Sequence, residues 1–234
     1  LDLNHLSHEW LRSLGTFPIH SEAPRRNQPC GGIGKELREI WPARILEKGY
    51  MIMSEVYMIG DLHIGHKGIV KHRAIFDNIE DHNETIRSNV KSVGGKNDKL
   101  ILLGDIVFTK ESIPFVQDMV SHFGQIVYIA GNHDLERGIN MQDLIDGFGC
   151  NIQAILRYKE FWLTHCPIHP AELRGKINIH GHVHSATITT ESGDIDKRYF
   201  NTSCENVDYT PVSLQEIRKS RIGVRETMNA DTRD

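Results

Sequence analysis

The apolar positions of this chain fall into short runs bounded by glycine and polar residues, and from Met53 onward two periods alternate. Val56–Gly60 is an apolar run that ends abruptly in Asp61, the pattern of a buried strand. Asp77–Val93 sets Ile79, Ile86 and Val90 at helical spacing within a polar segment. Lys99–Leu103 and Gln125–Ala130 read as strands, Ser112–Phe123 as an amphipathic helix and Asn140–Phe148 as a shorter one. Beyond Phe148 the helical period fades. Asn151–Tyr158, Phe161–Thr164, Ile177–Ile179, Ala186–Thr190 and Arg198–Thr202 read as strands, with a turn at Ser192, Gly193 and Asp194. Ser213–Lys219 reads as a closing helix before a polar tail. Strands alternating with helices, then strands in succession, predict an α/β fold in which two sheets pack together.

Residues 1–52 lack any sustained period and carry Pro18, Pro24, Pro29 and Pro42, so they read as an irregular leader to a domain spanning residues 53–234. Pro29 to Glu36 superficially matches a phosphate loop. Pro29 stands where such a loop needs glycine, and Glu36 where it needs serine or threonine, so that reading fails. The codons of Lys48 and Gly49 can contain a purine-rich ribosome-binding sequence just before Met51 and Met53. This suggests the hypothesis that the leader is translated upstream sequence; a mature terminus near Leu1 in N-terminal sequencing would sink it.

Composition narrows the class only a little. A net charge of -4 argues against holding nucleic acid by bulk electrostatics. The cysteines Cys30, Cys150, Cys166 and Cys204 form no C-x-x-C pair, as expected of reduced thiols in a cytoplasm. No apolar run is long enough to span a membrane. Histidine is enriched, with 14 in the chain, which matters only if their spacing supports a site.

The spacing does. Nearly every strand runs into chemistry: Asp61 and His63, then Gly104-Asp105, then Gly131-Asn132-His133-Asp134, then His165, then Gly181-His182-Val183-His184. In an extended strand, residues two apart point the same way, so Asp61 and His63 are expected to aim at one point. Oxygen and imidazole donors without thiolate favour a catalytic ion such as Mn, Fe, Zn, Ni or Co over structural zinc. Three carboxylate or amide residues and four histidines exceed what one ion needs, and two ions sharing a carboxylate would use them all.

This order of motifs, from residue 56 to residue 217, resembles the calcineurin-like metallophosphoesterase superfamily. The segment Asp61 to Ile69, with Gly65-His66, and the close at Asp208 to Ile217 are similar to a small bacterial and phage subgroup of predicted phosphoesterases. The resemblance implies a four-layer α/β/β/α sandwich. It implies that Asp61, His63, Asp105 and His184 hold one divalent ion, with Mn the first choice. Asp105 would bridge to a second ion held also by Asn132, His165 and His182. His133 would stand by the scissile phosphate as acid or charge stabiliser, with Asp134 orienting its ring. The implied reaction is hydrolysis of a phosphomonoester or phosphodiester, with small nucleotides among the candidate substrates, by metal-activated hydroxide. A nuclease of the same superfamily and a non-catalytic scaffold are the alternatives.

Other residues carry weaker expectations. His66, Arg73 and Arg137 are the candidate substrate contacts, with Arg174 and Lys176 as further candidates for a phosphate clamp. His180 and His169 read as structural, and His72, His82 and His122 as solvated helix residues. Cys166 reads as a packed, inert thiol. Two rival families fail: His182-Val183-His184 lacks the Asp-His of a metallo-β-lactamase, and His133-Asp134 follows a strand rather than lying on a helix as in HD-type hydrolases.

Overall fold

The computed structural model describes residues 54–220, so the leader and its alternative starts at Met51 and Met53 lie outside the described residues. Leu100 and Leu102 face one side of their strand and Ile101 and Leu103 the other, and all four are completely buried. A strand apolar on both faces needs a layer on each side. The strand, β2 (Lys99–Leu103), lies at the centre of a five-stranded sheet. Its neighbours are β1 (Val56–Ile59) and β3 (Gln125–Ile129), both parallel to it. The short β4 (Ile152–Gln153) pairs with β3, and β9 (Val212–Ser213) closes the other edge antiparallel to β1.

One face of this sheet packs on α1 (Ile79–Lys91), α2 (Ile113–Val120) and α3 (Met141–Phe148) through Ile86, Val90, Val116, Met119 and Leu144. The other face packs Val56, Met58, Ile101, Leu103 and Ile129 on Phe161, Leu163, Ile177 and Ile179 of a second sheet, joined by Leu214 and Ile217 of α4 (Leu214–Ser220). That second sheet orders β5 (Ile155–Tyr158), β6 (Phe161–Thr164), β7 (Ile177–His180) and β8 (Tyr199–Asn201), with only the first pair antiparallel. Each fully buried Leu or Ile here contributes about 1.5–3 kcal/mol. The result is the expected four-layer α/β/β/α sandwich.

Three segments differ from the sequence pattern. The expected strand Asn151–Tyr158 is two strands, β4 in the first sheet and β5 in the second, so the chain changes sheets at Ala154. Ala186–Thr190 forms no strand; a single bridge between Thr189 and Ile195 closes the turn instead. The two-residue β9 is too short for its period to show. The first helix starts at Ile79 because Asn78 caps it, its Oδ1 accepting from the Asp81 N–H at 2.8 Å.

Candidate metal centre

The loops after β1 and β2 run side by side, with the Asp61 N–H on the Gly104 carbonyl and the His63 N–H on the Asp105 carbonyl, both at 2.9 Å. The strands have already ended there. Asp61, His63 and Asp105 take left-handed backbone at φ 54°, 52° and 54°, and His182 and His184 do so at 71° and 49°. Strand alternation is therefore not what makes Asp61 and His63 converge. Left-handed backbone at Asp61 and again at His63, on either side of Leu62, accompanies the convergence, and such strain in non-glycine residues gathers where a site over-determines it. Two glycines permit the close approach. A Cβ on Gly131 would collide with the Asp105 carboxylate, and one on Gly181 with that of Asp61.

All seven expected ligands come together. Donor atoms of Asp61, His63 and His184 lie within 4.8 Å of one another, as do those of Asp61, Asp105 and His165. Asp105 Oδ2 is 3.8 Å from His63 Nε2 and 3.3 Å from His165 Nε2, so it touches both halves of the cluster. Asn132 Oδ1 lies 3.0 Å from both His165 Nε2 and His182 Nδ1. His165 donates Nδ1–H to the Leu103 carbonyl at 2.9 Å, leaving Nε2 to face the cluster. His63 is buried, and neither of its ring nitrogens has a hydrogen-bond partner. Hard oxygen and imidazole donors, with a buried unpartnered imidazole among them, fit a pair of divalent ions. These clustered side chains form a candidate binuclear metal site of the kind a metal-dependent hydrolase uses.

Burial pushes the Asp61 carboxyl up to about 6 and, with the charge of Arg73, the His63 imidazole down to about 3. His63 is thus neutral, as a ligand must be. Burial would raise Asp105 as well, but the His165 hydrogen bond and charge outweigh it and hold the carboxyl at about 2. His165 is raised in turn by Asp105, against its own burial. A cation arriving at Asp105 would displace that imidazole proton.

Several expectations need correcting. Asp134 does not touch the His133 ring. It is fully buried and accepts from the N–H groups of Asp105, Ile106, Val107 and Gly131 and from the Tyr128 hydroxyl, between 2.7 and 3.3 Å. The ring is held instead by Glu136, whose carboxylate accepts from His133 Nδ1 at 3.0 Å, while the His133 N–H donates to Asp105 Oδ1 at 2.8 Å. Arg73 is no open clamp for substrate. Its side chain is enclosed, donating to the carbonyls of Asp61 and Leu62, to Glu205 and to His82 Nε2. His82 is correspondingly buried rather than solvated. Cys166 is exposed, with its thiol in reach of the His165 and His182 donors.

His66 and Arg137 stay at the mouth of the site, both against Phe108. The His66 ring stacks on it at 3.7 Å and the Arg137 guanidinium lies 4.4 Å over it. Arg174 pairs with Glu172, His180 is buried, and His169 accepts from the Ala171 N–H. Glu205 was not singled out by sequence; it accepts from His184 Nδ1 at 3.0 Å.

No family model matches the chain. The uncharacterized protein MJ1445 of Methanocaldococcus jannaschii is 33% identical over 177 residues, covering 72% of this chain and 92% of that protein. The Gene 66 protein of Mycobacterium phage L5 is 30% identical over 166 residues, covering 58% and 80% respectively. The crystal structure of a protein of unknown function from Aquifex aeolicus, AQ665, superposes with a TM-score of 0.55 at 22% identity, over 71% of this chain and 99% of that one, and shows the same fold. The metal cluster is consistent with the calcineurin-like metallophosphoesterase superfamily. With one third of its positions shared over nearly the whole of the archaeal relative, the chain belongs to the family of MJ1445 and the phage Gene 66 protein.

Proposed function

We propose that this protein is a binuclear metal-dependent phosphoesterase acting on a small phosphomonoester or phosphodiester, nucleotides among the candidates. The observation that carries the reading is His63, an imidazole 3% exposed with both nitrogens unpartnered beside Asp61 and His184. Leaving a buried polar atom unsatisfied costs about 1–3 kcal/mol, which a bond to an ion would offset. Asp61, His63, Asp105 and His184 would hold one ion, and Asp105, Asn132, His165 and His182 the other. Two divalent cations supply a nucleophile at neutral pH and offset charge on the phosphoryl oxygens.

The chain's own residues do the rest. His133 keeps 36% of its side chain exposed and gives Nδ1–H to Glu136, so its Nε2 faces outward and can pass a proton to the leaving oxygen. Its N–H on Asp105 ties that proton donor to the shared carboxylate. His66 and Arg137, at Phe108, would meet the non-bridging oxygens of the substrate.

The test is hydrolysis of p-nitrophenyl phosphate and bis-p-nitrophenyl phosphate by metal-stripped protein, with and without Mn²⁺. Release that needs Mn²⁺ and is lost in Asp105→Asn is the expected result, with both ions loosened in that variant. The preferred ester separates monoesterase from diesterase. No release and no bound metal would overturn the reading.

A further inference from the structure

We propose that Glu205, held by the buried Arg73, is a positioning residue that makes the half-site of Asp61, His63 and His184 the one that fills first. The inference rests on the reading above that the cluster holds two ions. Glu205 lies in the short turn Cys204–Asn206 after β8, far in sequence from any ligand-bearing motif. One carboxylate oxygen, Oε1, accepts from His184 Nδ1 at 3.0 Å and from Arg73 Nε at 2.8 Å. A carboxylate behind a ligating imidazole fixes its tautomer, leaves Nε2 for the ion and strengthens it as a donor.

Arg73 extends the arrangement to the other two ligands. Its Nη2 donates to the Asp61 carbonyl at 2.6 Å and its Nη1 to the Leu62 carbonyl at 3.3 Å. Those are the carbonyls of the segment in which Asp61 and His63 take left-handed backbone. One guanidinium therefore sets the backbone of two ligands and, through Glu205, the ring of the third. Among the described residues no carboxylate stands behind an imidazole of the other half-site; Asp134 holds the backbone of its loops, not its rings. Its His165 is backed by the neutral Leu103 carbonyl, and His182 turns Nδ1 toward the cluster, against Asn132 Oδ1 and His165 Nε2, with no carboxylate bonded to its ring. It also draws on the amide Asn132 where the first half has the carboxylate of Asp61. Both the ligand charge and the support behind the ligands thus differ in the same sense.

Calorimetric titration of metal-stripped full-length protein with Mn²⁺ tests this. Wild type should take up two ions in two phases. In Glu205→Gln, which keeps size and the one oxygen shared by Arg73 and His184 but removes the charge, the tighter phase should weaken 10- to 100-fold while the weaker phase moves by less than about 3-fold. Glu205→Asp, with its carboxylate retained, should recover part of the loss. Asn132→Ala, which removes a donor from the second half only, should keep the tight phase, and adding Glu205→Gln should then weaken that phase by the same 10- to 100-fold. Circular dichroism of each variant separates these effects from unfolding. Equal weakening of both phases, or none, overturns the proposal while leaving the phosphoesterase reading intact. Failure of wild type to bind any ion overturns both.

Discussion

The two sheets supply the candidate metal centre unequally. Loops of the five-stranded sheet give Asp61, His63, Asp105 and Asn132, and loops of the four-stranded sheet give His165, His182 and His184. The first set is held from behind by buried charge: Asp134 gathers four N–H donors from the loops after β2 and β3 and the Tyr128 hydroxyl of β3 itself, and Arg73 grips the carbonyls after β1. The second set leans on the first. His165 donates to the Leu103 carbonyl, and the His182 N–H donates to the Asp61 carboxylate at 2.9 Å. One layer is the frame and the other is fitted to it, so damage should travel in one direction only.

The strongest way to break that asymmetry is Asp134→Asn. The amide presents one acceptor where the carboxylate presented two, and its NH₂ would face backbone N–H groups. With five donors at stake, unfolding in urea should show a loss of at least about 3 kcal/mol. Both ions should be lost with it. On the fitted side, His182→Ala removes an exposed ring and should release one ion with a stability change below about 1 kcal/mol. Equal destabilisation by the two variants would refute the frame.

The candidate ligands stood out in the sequence because most end an apolar run or follow a glycine, with His63 and His184 two places beyond such a residue, so pattern and chemistry coincide. The residues behind them were not. Glu205 ends no strand and belongs to no spacing motif, and Arg73 looks like any surface charge until the fold encloses it. Asp134 and Glu136 both sit near His133 in sequence, and only the backbone path decides which one reaches the ring. Adjacent residues after a strand point apart, whereas a residue three further on, across a turn, returns to the imidazole. The left-handed residues were equally hidden, since aspartate and histidine enter that region more readily than most residues but nothing in the sequence marks which of them do. Ala154 gave no turn signal, so the exchange of sheets there was read as one strand.

A second variant sharpens the comparison at the chemistry itself. His133 is bonded to the frame through Asp105 but is no donor to the cluster. His133→Asn should keep both ions and lower turnover roughly 100-fold, about 2.7 kcal/mol in the barrier. Metal analysis beside steady-state kinetics checks it. Loss of metal equal to that of Asp105→Asn would show that His133 belongs among the ligands.

Acid should loosen the frame through His82. This imidazole is fully buried on α1, accepting at Nε2 from Arg73 at 2.7 Å and donating Nδ1–H to Asn83 at 2.9 Å. Burial first, and then the charge of Arg73, push it down to about 4, against the opposing pull of Asn83, Glu205 and Asp81. The unfolded chain takes the proton near 6.5, whereas the folded protein resists it until about 4. Below 6.5 the unfolded state therefore binds more protons, and stability falls as pH falls toward 4. Between pH 6.5 and pH 5 the cost is about 2 kcal/mol. Asp61, raised to about 6, acts in the opposite sense over part of the same range, so the quantity to measure is a difference. Urea unfolding of wild type and His82→Gln across pH 4 to 7 isolates it, because glutamine can still accept from Arg73 but does not titrate. The two stability curves should converge as the pH falls from 6.5 to about 4, the wild type losing its advantage first; parallel curves would mean that Arg73 is held without help from a neutral His82.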